Sequence, residues 1–344
     1  MTLTRRDLLK HAGMGLGSAA LLSYAPLSLA QKNRALKAQI LGFTLSIHVP
    51  AIMALNEGMQ ALGYSASDMK RIESMQVLTQ SIVAGSAEVG ESDIVSALRA
   101  GSVGADVKMV GMVYNNTSQV LVVNADKVKS YADFKNKDNA IALNSTGDFI
   151  YVMLSGIFER NGVNIEDATV VDVGGSGSRM RALLGGRVAA VPVHFDQAAD
   201  ILKQGNYKVM VEPWKIYNPW LSEAWLVQGS WLKNADNARA ITDLLKATVT
   251  SFRKTNQSLA YFAEGYRKYA TVKDAKTATE EQLRPVWETL SKQIKAWPDD
   301  GGFRLKYFEE LMPVYVKAGT VKRGTNIAKT IDTQYMEKAL KELG

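Results

Sequence analysis

Gly85-Ser-Ala-Glu-Val-Gly-Glu-Ser-Asp93 and Gly186-Arg-Val-Ala-Ala-Val-Pro-Val-His194 follow one pattern. In each, a glycine closes a helix and a short apolar strand follows, Ala87–Gly90 in the first and Val188–Val191 in the second. The preceding helices show apolar residues at helical spacing: Val77, Leu78, Ile82 and Val83 before Gly85, and Met180, Leu183 and Leu184 before Gly185-Gly186. Setting Gly85 against Gly186 brings Ser92-Asp93 level with Val193-His194, at the carboxyl ends of equivalent strands.

The correspondence extends upstream. Gln39-Ile-Leu-Gly-Phe43 and Ala140-Ile-Ala-Leu143 are apolar strands, each followed by a polar loop and a helix. The first helix starts after Pro50, carries Ile52, Leu55, Met59 and Leu62 on one face, and ends at Gly63. The second opens near Asp148, carries Phe149, Val152, Met153 and Ile157, and ends at Gly162. Strands alternating with helices predict parallel βαβ units, hence an α/β fold in which ligands bind outside the carboxyl ends of the strands. The repeat predicts two such lobes facing one cleft.

The amino terminus reads Thr4-Arg-Arg-Asp-Leu-Leu-Lys10, the pattern of a twin-arginine export signal. Residues 11–29 carry no charge, and Ser28-Leu-Ala30 supplies small residues for cleavage after Ala30. Residues 1–30 are therefore predicted to be a removed signal and the mature protein to be a soluble periplasmic monomer. The chain has no cysteine, which excludes disulfides, lipid attachment through cysteine and thiol chemistry. The net charge is +7; removing a segment with three basic residues and one acidic residue leaves +5. No basic run is interleaved with aromatics, so nucleic-acid binding is not expected. With 344 residues and 47% apolar content, the chain has enough material for two cores.

Ser92-Asp-Ile-Val-Ser-Ala-Leu-Arg-Ala-Gly101, Val128-Lys-Ser-Tyr-Ala-Asp-Phe-Lys135, the stretch from Gly156 to Asp172 with its Asn161-Gly-Val163 turn, and Ala182-Leu-Leu-Gly-Gly-Arg-Val-Ala-Ala190 together resemble the nitrate-, sulfonate- and taurine-type periplasmic binding proteins of ABC importers. That group includes binders of thiamine pyrimidine precursors. The resemblance covers most of residues 38–230 in layout. It implies a type II periplasmic binding protein with mixed sheets flanked by helices. Lobe 1 would comprise residues 31–115 and 221–344, and lobe 2 residues 116–220. The chain would cross the hinge twice, near Tyr114–Ser118 and Pro213–Glu223. Ala224-Trp-Leu-Val-Gln228 would re-enter lobe 1, followed by an amphipathic helix through Ala238, Ile241, Leu244, Leu245 and Phe252 and a helical carboxy-terminal region packed on lobe 1. Asp133-Phe-Lys-Asn-Lys137 departs from the family's Gly-Lys ending. The cysteine-rich motif of pyrimidine-building enzymes with this fold has no counterpart.

Candidate ligand contacts lie at the predicted strand ends. Thr44, Ser46 and His48 follow the first strand; their groups suit a ligand oxygen, or else cap a helix. Ser145, Thr146 and Gly147 precede the matching helix, where amides and hydroxyls favour an anion, while Asp148 either caps that helix or meets a ligand N–H. Ser176, within Gly174-Gly-Ser-Gly-Ser178, belongs to an anion nest or a plain turn. Ser92 and Asp93 face His194 and Phe195, and Asn115 lines the hinge. Trp214 stacks on a planar ligand or fills the hinge core.

The expected function is capture of a small solute, a sulfonate or carboxylate first and a planar heterocycle second, for delivery to an inner-membrane ABC permease. No catalytic residue, metal site or cofactor is expected. His11, His48 and His194 make no metal motif, and neither H-E-x-x-H nor G-x-S-x-G occurs. An exported enzyme and a ligand-sensing partner of a membrane receptor are the alternatives.

Overall fold

The structure, a computed structural model, describes residues 34–344; the predicted signal and its cleavage point lie outside the described residues. The first sheet begins with β1 (Lys37–Leu41), β2 (Asp68–Ile72), β3 (Val89–Asp93) and β4 (Lys108–Tyr114). The second contains β5 (Gln119–Asn124), β6 (Ile141–Leu143), β7 (Val170–Asp172), β8 (Ala190–His194) and β9 (Tyr207–Val211). The chain then returns to the first sheet as β10 (Glu223–Val227). The strand orders are β2-β1-β3-β10-β4 and β7-β6-β8-β5-β9. In the first sheet β10 runs antiparallel between β3 and β4, pairing Glu223 with both Asp93 and Tyr114. In the second, β5 is antiparallel to β8 and pairs Gln119 with His194. The chain therefore crosses between sheets twice, as a two-lobed binding protein requires.

The matched helices are α1 (residues 49–61), α2 (Met75–Val83) and α3 (Ile94–Ser102) in the first lobe, and α4 (Phe149–Arg160), α5 (Ser176–Leu184) and α6 (Phe195–Leu202) in the second. Gly85 and Gly186, which end α2 and α5, have φ of +70° and +69°. This left-handed backbone favours glycine and turns the chain back toward the sheet. The strands that follow end at Asp93 and His194, which are the residues before α3 and α6. The apolar faces read from spacing are buried: Leu78 and Ile82, Val152, Met153 and Ile157, and Leu183.

The carboxy-terminal region forms α7 (Ala235–Gln257), α8 (Leu259–Tyr269), α9 (Glu280–Glu288), α10 (Leu305–Lys317) and α11 (Gln334–Leu343). Helix α7 packs on α1, and α11 packs on α7 and β4. In contrast, α10 leans against α4 of the second lobe, with a Lys317–Glu159 ion pair and Tyr315 edge-on to Trp220 at 5.9 Å. The tail is thus not confined to the first lobe. Among the described residues, no helix is long and apolar enough to cross a membrane.

Asn116 ties the two crossings together. Its side chain donates to Ile294 O at 2.9 Å and accepts from Trp220 N at 3.1 Å. Trp220 is fully buried, with Tyr217 4.6 Å away. This part of the aromatic 212–220 segment therefore fills the hinge core.

Candidate functional site

The loop after β1 is held from behind by the carboxy-terminal region. Thr44 N donates to Thr271 Oγ1 at 2.9 Å, and Trp297 Nε1 donates to Ile47 O at 2.9 Å. Within the loop, Leu45 N–H donates to His48 Nδ1 at 3.2 Å. This places His48 Nε2 between Glu223 Oε2 at 3.5 Å and Glu91 Oε1 at 3.9 Å. Glu91 is anchored by its other oxygen, which accepts from Leu41 N at 3.1 Å. All three side chains are almost wholly buried, and His48 Nε2, Glu91 Oε1 and Glu223 Oε2 have no hydrogen-bond partner. The three donor atoms lie within 4.8 Å of one another, a spacing that would suit a metal ion. The tautomer does not suit one. A nitrogen that accepts the Leu45 amide carries no proton, so the neutral ring holds its proton on Nε2 and offers an N–H where a metal needs a lone pair. The group is an N–H aimed between two carboxylates.

Electrostatics follow from this burial. Burial opposes charge on His48, but Glu223 and Glu91 outweigh it and hold its pKa above the ordinary value. Burial lifts Glu91 to about 7, against the pull of His48. Asp93, the cap of α3, accepts from Ser96 N at 2.9 Å through one oxygen, while the other has no partner. Burial raises it to about 6. Tyr114 is pushed well above its usual range by burial and by the neighbouring Glu223.

The second lobe supplies the opposite wall. His194 lies 5.6 Å from His48, ring to ring, with Phe43 6.5 Å away. Ser118 Oγ is 2.6 Å from Nδ1 and Gln119 Nε2 is 2.8 Å from Nε2. A neutral ring that donates from Nδ1 and accepts at Nε2 satisfies both. Burial, with His48 and Arg179 close by, keeps His194 well below its ordinary pKa. Asp148 caps α4, accepting from Ile150 N at 2.9 Å, Tyr151 N at 2.8 Å and Ser145 N at 3.2 Å. Burial and the facing Asp93 raise it to about 7. The buried Arg179 donates to Pro192 O at 2.8 Å and Gly174 O at 2.6 Å, bracing the end of β8 against the loop before α5. The lobes meet directly where Ser46 Oγ donates to Asp196 and Gln76 Nε2 approaches Ser145 Oγ at 3.4 Å.

Of the residues singled out from sequence, Ser46, His48, Asp93, Asp148 and His194 converge. Thr44 is beside them, but its hydroxyl accepts from Arg71 at 3.1 Å. Ser176 is buried with an unpartnered hydroxyl. Others face elsewhere. Ser92 bonds Thr79 and Met75 O behind the strand, both at 2.8 Å. Thr146 is exposed and bonds Asp172. Gly147 has φ +83° and sits under Arg99. Asn115 packs on Gly302, and Trp214 is edge-on to Phe195 at 6.2 Å, its indole N–H unpartnered. Glu223 and Arg179 also stand at the site; the sequence marks them only by a lone glutamate opening the apolar run Glu-Ala-Trp-Leu-Val and by an arginine in helical register with Ser176 and Leu183.

The NMT1/THI5-like family model matches residues 68–255, more than half of the chain, and the protein belongs to that family. Solved structures share its fold. The periplasmic nitrate-binding protein of Synechocystis PCC 6803 aligns with TM-score 0.72 at 13% identity, over 91% of this chain and 89% of that one. A ligand-binding component of an ABC-type import system from Staphylococcus aureus, with zinc bound, aligns with TM-score 0.70 at 13% identity, over 89% and 99%. The alkanesulfonate-binding protein of Xanthomonas axonopodis pv. citri, bound to MOPS, gives 0.66 at 14% identity, over 88% and 98%. No curated protein sequence matches the chain.

Proposed function

We propose that the protein is the solute-binding component of an ABC-type importer and performs no bond chemistry. It is exported by the twin-arginine route, cleaved after Ala30, and works in the periplasm as a monomer that docks on an inner-membrane permease and binds no nucleic acid. Lobe 1 comprises residues 31–115 and 221–344, and lobe 2 residues 116–220. The family and fold support this reading. The observation that carries it is the convergence of His48, Glu91, Asp93 and Glu223 from one lobe on Asp148 and His194 from the other, with several buried polar atoms left unpartnered. Buried polar groups are nearly always hydrogen-bonded, so such a set between two lobes is suited to pair with the polar groups of a solute. A bound solute completes these contacts only in the closed form and shifts the population toward it.

The charges at the cleft floor bear on the ligand. Glu91, Asp93 and Glu223 face inward, Arg179 is committed to backbone carbonyls, and Asp148 already occupies the helix start expected to hold an anion. This favours a ligand that brings N–H donors or positive charge to the floor, and it supports the planar nitrogen heterocycle among the two classes read from sequence. Thermal-shift screening of sulfonates, carboxylates and protonated heterocycles, with small-angle scattering of each hit, tests the reading. Stabilisation by the heterocycles with a smaller radius of gyration is expected. Stabilisation by simple anions alone would refute the ligand assignment, and absence of closure with every solute would refute capture.

A further inference from the structure

A groove of about 510 Å³ opens between the lobes beside the buried cluster, lined by Phe43 and Tyr266 on one side and by Gly175, Ser176 and Arg181 on the other. Phe43 connects it to the floor, since its ring also touches His48 and His194. The amino end of α5 faces this groove. Gly175 precedes the helix with no side-chain cap, and the first turn holds no acidic residue. The first amides of a helix have no partner inside it, and they attract negative charge. Three further observations point to a ligand there. The Ser176 hydroxyl, on a residue 1% exposed, has no hydrogen-bond partner. Arg181 and Lys273 add positive charge to the lining. The Glu73 carboxylate reaches over from the first lobe, its Oε2 3.5 Å from where a Cβ on Gly175 would stand, so a carboxylate already leans on this helix start. The remaining acids of the groove are engaged: Asp196 by Ser46 and Gln197 N, and Asp200 by Lys203.

We propose that the amino end of α5, with the Ser176 hydroxyl, is an oxyanion subsite at the mouth of the cleft, so that the captured solute is dipolar. Its nitrogen-bearing end meets Glu91 and Glu223, and its carboxylate, sulfonate or phosphate displaces Glu73 from the start of α5. This deepens the capture reading and rests on it.

The test uses the mature protein and three probes in calorimetric titration: a pyridinium propanesulfonate sulfobetaine and its two halves, N-propylpyridinium and propanesulfonate. The sulfobetaine should bind more tightly than either half. S176A should weaken it by about tenfold and leave N-propylpyridinium unchanged. At Gly177 a new Cβ meets only Arg181 Nη1, at 3.8 Å, and G177D supplies the helix with its own carboxylate. It should remove the advantage of the sulfobetaine while keeping the fold. E73Q should strengthen sulfobetaine binding. Equal affinity for sulfobetaine and N-propylpyridinium, or an advantage that survives both S176A and G177D, overturns the subsite and leaves capture standing. Failure of scattering to detect closure with any solute overturns capture, and the subsite with it.

Discussion

Replacing Ser46 with alanine removes the hydroxyl that donates to Asp196 across the cleft. Ser46 is 2% exposed and Asp196 is half-buried, so the bond lies at the edge of the closed interface. In the open form both groups are hydrated, and the substitution acts only on the closed state. A hydrogen bond to a fully buried charge contributes about 1.5–3 kcal/mol and a neutral one about 0.5–1.5 kcal/mol. Partial exposure of Asp196 places this one at about 1–2 kcal/mol. Closure should then become about 5- to 30-fold less favourable, since about 1.4 kcal/mol is tenfold. When the open form dominates without ligand, affinity falls by the same factor, because only the closing fraction binds productively. Titration calorimetry on S46A, D196A and the double variant measures the coupling, and scattering measures the closed fraction. A coupling energy of about 1–2 kcal/mol is expected. Coupling near zero, with affinity and radius of gyration unchanged in S46A, would refute the claim that this contact holds the lobes shut.

Other expectations follow from the same geometry. R179M leaves two carbonyls without a donor and Asp148 without its nearby positive charge; urea unfolding should show a loss of about 3–5 kcal/mol, and a loss under about 1 kcal/mol would contradict the role given to this arginine. Asp93 and Asp148 have folded pKa values of about 6 and 7, raised by burial above their unfolded values, so the folded state holds extra protons between about pH 4 and pH 7. Their contribution is therefore fully favourable at the acid end of that window and is lost as pH rises through it. D148N keeps the cap through its amide oxygen and should flatten this dependence in urea midpoints between about pH 5 and pH 8; a constant offset from the wild type would count against it. G111A sets a Cβ 2.2 Å from Leu245 Cδ2 and 3.2 Å from Met336 Cε, wedging α7 and α11 off the sheet. It should cost about 1–3 kcal/mol, and an unchanged melting point would show that the helices yield freely.

The amino-acid sequence by itself determined the duplicated strand–helix order, the glycines that end α2 and α5, and the coincidence of Asp93 and His194 at equivalent strand ends, because these depend on side-chain periodicity and local backbone preference. The duplicated pattern does not extend to β2, β4, β5 and β9; of these, β2 and β9 are partly exposed edge strands, and Asp-Met-Lys-Arg-Ile has no continuous apolar face to betray it. Only the tertiary structure decided the composition of the site. Glu223 reaches Glu91 and His48 because β10 returns from the second lobe to lie between β3 and β4, a pairing that no local pattern encodes. The Leu45 amide, not residue type, determines which nitrogen of His48 faces the cleft, and thereby turns a metal-like trio into a donor between acceptors. Likewise Asp148 has the composition of either a cap or a ligand contact, and three backbone amides claim it as the cap.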